Sequence, residues 1–154
     1  MNIVLFEPEI PWNTGNIGRT CVAAGSALHL VGRLGFRIDA REVRRSGLDY
    51  WPELKLFRHE DFEAFEEALP QGASVLVFST KGTRSFWEAP YRKESYLVFG
   101  RESSGLPLHI RRRYKRSLFR IPMDRGARSL NLSTAVGIVL YDGLRQILAE
   151  SSRD

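Results

Sequence analysis

Five short apolar runs rich in β-branched residues or phenylalanine constrain this chain most: NIVLF at 2–6, LHLV at 28–31, SVLVFS at 74–79, YLVF at 96–99 and SLFRI at 117–121. Runs of this length bounded by Gly, Pro, Asn and Ser read as buried strands. Helix-length stretches lie between and after them. One covers 15–26, a charged one near 60–69 aligns Phe62, Phe65 and Leu69, and the C-terminal one spaces Leu132, Val136, Val139, Leu140, Leu144, Ile147 and Leu148 by threes and fours. Strand and helix alternate, which predicts an α/β fold with a mostly parallel sheet flanked by helices. A chain of 154 residues has room for one such domain, expected over 1–154.

Ligands of parallel α/β sheets bind beyond the carboxyl ends of the strands, so the segments that follow them carry the functional information. Three stand out: EPEIPWNTGNIGRT after the first run, GRESSGLP after the 96–99 run and PMDRGARSLNLS after the 117–121 run. All are rich in Gly, Asn, Ser and Arg, which allow close backbone approach and directed hydrogen bonds without a strong acid–base pair. Such loops suit a polar organic cofactor. Gly15-Asn16-Ile17-Gly18 comes too late after the first run and lacks the glycines of a dinucleotide fingerprint, and no Walker A loop is present.

The last helix opens with two hydroxyls and an amide, Ser129, Asn131 and Ser133, ahead of an apolar segment. Capping accounts for one of the three, since one side-chain oxygen satisfies the free amides of a first turn. The others are left for a ligand.

Composition narrows the partners. A single cysteine, Cys21, permits no internal disulfide and reads as a small buried hydrophobe, while His29, His59 and His109 are too scattered to suggest a metal cluster. The first apolar run is broken by Glu7, Pro8 and Glu9, and no run reaches the ~18 residues that span a bilayer. The expectation is a cytoplasmic protein with no metal and no membrane partner. Lys and Arg exceed Asp and Glu by 23 to 18 and cluster at Arg41, Arg44 and Arg45 and in RRRYKR at 111–116, so the partner is expected to be anionic. Either cluster is equally readable as a solvated face. Tyr114 within the second reads either as a base-stacking residue or as a core anchor.

Taken together, NTGNIGRT at 13–20, FGRESSGLP at 99–107 and IPM at 121–123 followed by RSLNLSTAVGIVLYD at 128–142 resemble the three motifs of the SPOUT superfamily of RNA methyltransferases in order and spacing. The resemblance runs through EPEIPWNTGNIGR and RRSGLDYW at 44–51, and is strongest to the members that methylate the ribose 2′-hydroxyl of the tRNA wobble nucleotide. It implies a C-terminal trefoil knot, S-adenosylmethionine as cofactor, tRNA as substrate and a homodimer. It further implies cofactor contacts from Phe78, Gly100, Ile121 and Ser129, with Leu130 adjacent, and puts Arg19 and Glu102 at the reacting end. Asn13, Asn16 and Asn131, with Arg44, Arg111, Arg112 and Arg113, are the candidates for holding RNA, the alternative for Asn13 and Asn16 being that they stabilise a turn. A guanidinium stays protonated, so Arg19 is expected to grip phosphate rather than act as a base. Glu102 is expected either to accept the proton or to orient Arg19. Methylation of another tRNA position or of ribosomal RNA, and a non-catalytic RNA-binding role, are the alternatives.

Overall fold

The computed structural model describes residues 1–38 and 50–152. Its strands are β1 (Asn2–Phe6), β2 (Ala27–Val31), β3 (Leu56–His59), β4 (Val75–Phe78), β5 (Arg84–Ser85), β6 (Tyr96–Phe99) and β7 (Leu118–Arg120). They form one seven-stranded sheet in the order β3-β2-β1-β6-β4-β7-β5, and every pairing between them is parallel. The helices are α1 (Pro11–Ala23), α2 (Phe62–Glu67), α3 (Leu108–Arg113) and α4 (Leu132–Ser151), with short 3-10 turns at Trp51–Glu53, Phe86–Glu88 and Lys115–Ser117.

The five apolar runs become the five inner strands because their side chains are buried on both faces of the sheet. Along β1, Ile3 and Leu5 enter one core while Val4 and Phe6 enter the other, as the two-residue period of a strand requires. On the first side Leu28, Leu30, Leu76, Phe78, Leu97 and Phe99 meet Ile17 and Cys21 of α1 and Val136, Val139 and Leu140 of α4. On the second, Val31, Val75, Val77 and Val98 meet Phe62 and Phe65 of α2 and Ile110 of α3. Each fully buried Ile or Leu contributes roughly 1.5–3 kcal/mol of transfer free energy.

Two strands and one helix go beyond the sequence expectation. β3 lies at the sheet edge, with Phe57 and Arg58 exposed, so it carries no continuous apolar run. β5 has two residues and lies at the other edge, paired with β7. The basic run RRRYKR is structured: its first three arginines close α3, and Tyr114 is an anchor whose hydroxyl donates to Glu66 at 2.7 Å and whose ring meets Phe62 edge-on. Cys21 is fully buried and burial pushes its thiol up to about 12, in keeping with its reading as a core residue.

His29 and His59, scattered in sequence, come together. Parallel pairing of β2 with β3 stacks their rings, with His29 Nδ1 3.0 Å from His59 Nε2. His29 Nε2 is buried without a partner among the described residues. The tautomer that leaves no buried N–H bare has His29 Nδ1–H donating to His59. Among the described residues no group of three or more His, Cys, Asp or Glu converges as a metal site, and no helix is long and apolar enough to cross a membrane.

Candidate functional site

The sheet order decides which loops meet. β1, β6, β4 and β7 are consecutive neighbours, so the segments that leave their carboxyl ends converge on one edge of the sheet. Between them is a cavity of about 580 Å³, of the size that small-ligand sites have. All five cofactor candidates, Phe78, Gly100, Ile121, Ser129 and Leu130, line it. So do Asn13, Glu102, Arg111 and Asn131, joined by Lys81, Arg101 and Arg128, which the sequence reading did not single out. The signal for Arg101 was its place beside Glu102 in FGRESSGLP.

Three consecutive residues after β6 bind the loop after β1. Arg101 forms an ion pair with Glu7, its Nε 2.8 Å from Oε2, and its guanidinium also lies 5.2 Å from the centre of the Phe6 ring. Glu7 has φ +46°, a left-handed conformation that a non-glycine residue adopts only when its surroundings hold it there. Glu102 accepts from the amides of Glu9 and Ile10 at 2.7 and 3.1 Å and from Asn13 Nδ2 at 3.3 Å. Ser103 donates its amide and hydroxyl to Glu9, both at 2.8 Å, which holds the Glu9 carboxyl below the usual carboxylate range.

The Glu102 carboxylate thus does what the sequence at the start of α1 does not. Ile10 occupies the N-cap and offers no side-chain oxygen, while Pro11 supplies a first-turn residue with no amide to satisfy. A carboxylate from another loop takes the amides just ahead of the helix and sets a negative charge at its positive end. Glu102 makes no contact with Arg19 among the described residues; its partners are backbone and Asn13.

Asn13 is buried and extends the connection. Its Oδ1 accepts from Asn131 Nδ2 at 3.1 Å. Asn131 is also the N-cap of α4, its Oδ1 accepting from the amides of Ser133 and Thr134 at 2.9 and 3.3 Å and from the Ser133 hydroxyl at 2.7 Å. Of the three polar residues at the threshold of α4, Asn131 is the cap, Ser133 leans on it, and Ser129 faces the cavity.

Gly100 lines the cavity, but what forbids a side chain there is the protein itself. A Cβ on Gly100 would lie 2.3 Å from the carbonyl carbon of Gly105 and 2.4 Å from the Leu106 nitrogen. Arg101 and Gly105 exchange backbone hydrogen bonds and Gly105 turns at φ +65°, so the glycines let this loop close on itself.

Arg19 and Asn16 are exposed on α1 and do not line the cavity. The arginines of α3 divide: Arg111 reaches the cavity and donates Nε to the Leu106 carbonyl at 3.1 Å, Arg113 pairs with Glu66, and Arg112 is exposed. Arg44 lies outside the described residues.

Val136, Val139 and Leu140 of α4 are fully buried in the chain's own core, and a Cβ on Gly143 would meet Tyr91 and Met1 at 2.8 and 3.0 Å. These residues of α4 therefore serve the chain's own core. The large apolar side chains that these two helices leave exposed are Ile138, Tyr141 and Leu148 on α4 and Trp12 on α1.

Comparison with known proteins matches this geometry to one family. The SpoU rRNA Methylase family profile matches residues 1–141. The tRNA (cytidine(34)-2'-O)-methyltransferase of Escherichia coli (strain K12) is 44% identical over 149 residues, covering 96% of this chain and 94% of that protein. A solved structure described as giving structural insights into the 2-OH methylation of C/U34 on tRNA is 48% identical, with a TM-score of 0.91 and 94% of both chains covered. An AdoMet-bound rRNA methyltransferase from Sinorhizobium meliloti is 30% identical with a TM-score of 0.83, over 94% of this chain and 56% of that one. With the match running from β1 into α4, through all three loops that wall the cavity, the chain belongs to the SpoU rRNA methylase family.

Proposed function

We propose that this protein methylates the ribose 2′-hydroxyl of nucleotide 34 of tRNA, cytidine or modified uridine, with S-adenosylmethionine as donor and as a homodimer. The observation that carries the reading is the junction of Glu102, Asn13 and Asn131, which draws three distant loops around one cavity. Near-full-length identity to a tRNA (cytidine(34)-2'-O)-methyltransferase supports the substrate.

The cavity fits the cofactor. Phe78, Ile121 and Leu130 offer apolar walls to an adenine, and Ser129, Arg101 and the backbone of Gly100 offer polar contacts to the ribose and amino-acid parts. When bound, S-adenosylmethionine supplies an already activated methyl group on a sulfonium. The protein's own work is alignment, which in favourable cases supplies several kcal/mol of a barrier. Arg19, exposed and forked, grips the RNA phosphate beside the reacting hydroxyl and stabilises the oxygen as its proton passes to solvent water. Glu102 is a positioning residue that fixes the start of α1 and the side chain of Asn13.

The same geometry supports the homodimer. Arg19 does not line the cavity of its own chain, and Trp12 and Tyr141 leave 54% and 52% of their surface in water. Aromatics so exposed on α1 and α4 suit burial against a second copy. Each site then combines the cavity of one subunit with Arg19 of the other. The strand order and the loops around the cavity are consistent with the trefoil knot of the superfamily, and the enzyme is a soluble protein of the cytoplasm.

The test is to incubate purified protein with S-adenosylmethionine and tRNA from cells lacking this gene, and to map ribose methylation. A 2′-O-methyl group at nucleotide 34 is expected. Modification only at another tRNA position or in ribosomal RNA would replace the substrate, and RNA binding without methyl transfer would overturn the enzymatic reading.

A further inference from the structure

The stretch from Tyr50 to Leu54, just ahead of the third strand, packs on α1 in a way the site description does not use. Gly18 leaves room for it: a Cβ there would stand 3.0 Å from Trp51 Cζ3 and 3.2 Å from Leu54 Cδ2, so the indole and the leucine sit on the helix surface one residue before Arg19. Trp51–Glu53 is a 3-10 turn with Pro52 in its first positions, and Tyr50 heads it, its carbonyl accepting from the Glu53 amide at 3.0 Å. A proline-stiffened turn seated on a glycine gives Tyr50 a defined place against α1. The Arg19 guanidinium lies over the Tyr50 ring, its Cζ 4.9 Å from the centroid. Among the described residues no carboxylate pairs with Arg19.

We infer that Tyr50 is a positioning residue for Arg19, holding the guanidinium by the face of its ring so that the fork is oriented before RNA arrives. A carboxylate partner would neutralise the charge and occupy the donors that the phosphate needs. An aromatic face attracts the cation through its quadrupole and leaves the in-plane N–H groups free. An exposed arginine otherwise samples many rotamers, and ordering it on binding costs free energy that a prearranged side chain has already met. The inference rests on the assignment of Arg19 to the reacting end.

The experiment is a graded one on the full-length protein. Position 50 is replaced by phenylalanine and then by phenylalanines of increasing fluorination, which keep the shape while weakening the negative ring face, and Tyr50→Leu and Arg19→Ala are made alongside. Methyl transfer is measured at saturating tRNA and cofactor, and the Arg19 side-chain resonances are followed by NMR. Tyr50→Phe is expected to keep wild-type kcat and the upfield ring-current shift of Arg19. Turnover should fall steadily with fluorine content, reaching about three- to fivefold, the size expected of an exposed cation–ring contact. Cofactor Kd should not move. A flat fluorine series together with a dead Arg19→Ala variant overturns the role of Tyr50 and leaves that of Arg19 standing. A fully active Arg19→Ala variant overturns both. Should Tyr50→Leu fail to fold, the fluorine series decides alone, because its members are nearly isosteric.

Discussion

Asn13 donates its amide to Glu102 at 3.3 Å and, through its carbonyl oxygen, accepts from Asn131 at 3.1 Å, so one buried side chain ties together segments 89 and 118 residues away. The cavity depends on that chain of amides. Glu102, Asn13 and Asn131 each complete a helix start or a loop, and each faces the place where the cofactor would lie.

Glu102→Gln separates a positioning carboxylate from a catalytic one. Its oxygens serve two backbone amides and Asn13, so the amide variant must turn an N–H group toward one of these donors. We expect roughly 1–3 kcal/mol lower stability, the usual cost of leaving a part-buried donor unsatisfied, with weaker cofactor binding. Calorimetry and thermal unfolding check this. Wild-type stability and cofactor affinity with abolished turnover would instead make Glu102 the proton acceptor.

Arg19→Ala should bind cofactor normally and lose most methyl transfer, and Arg19→Lys should also be poor because a point charge does not reproduce a fork. Ser129→Trp, in contrast, should fill the cavity and abolish cofactor binding. Mixed under conditions of subunit exchange, the Arg19→Ala and Ser129→Trp proteins should regain up to about half the activity per heterodimer, since one of the two symmetric sites is then intact. Heterodimers without any activity would rule out a shared site.

The three arginines of α3 should not behave alike. Arg113 already pairs with Glu66, and its removal should cost at most about 1 kcal/mol of stability with little effect on RNA. Arg112 is exposed, and Arg112→Ala should reduce the slope of log affinity for tRNA against log salt by about one. Binding assays across a salt series check this, and an unchanged slope would mark Arg112 as a solvated surface residue.

The His29–His59 pair predicts acid sensitivity. Burial first, and the neighbouring His59 second, lower His29 from 6.5 to about 4, and burial lowers His59 as well. Between about pH 6.5 and 4 the unfolded chain takes up a proton that the native chain refuses. Stability is therefore full above pH 6.5 and falls on acidification, by up to about 1.4 kcal/mol per pH unit for one proton. Thermal unfolding from pH 7 to 5 should show this slope in the wild type and a flatter one in His29→Phe. Equal slopes would mean that His29 takes up its proton in the native state.

Local signals in the sequence determined the inner strands, the long last helix and the three polar loops. Buried parallel strands must be apolar on both faces, so NIVLF, SVLVFS and YLVF carry their own signature, whereas the half-exposed LFRH of β3 does not. The polar threshold of α4 was legible for the same reason, since a cap acts on amides two and three residues ahead. The family resemblance supplied the roles proposed for the cavity residues. Tertiary structure decided what each polar group does. It put Glu102 at the start of a helix 92 residues away in sequence, closed the Gly100 loop on Gly105, and divided RRRYKR among a cavity wall, an ion pair and the solvent. It also brought His29 against His59 by strand pairing. These outcomes depend on which strands are neighbours, and that is settled by packing the whole sheet against two layers of helices, a constraint that no short stretch of sequence contains.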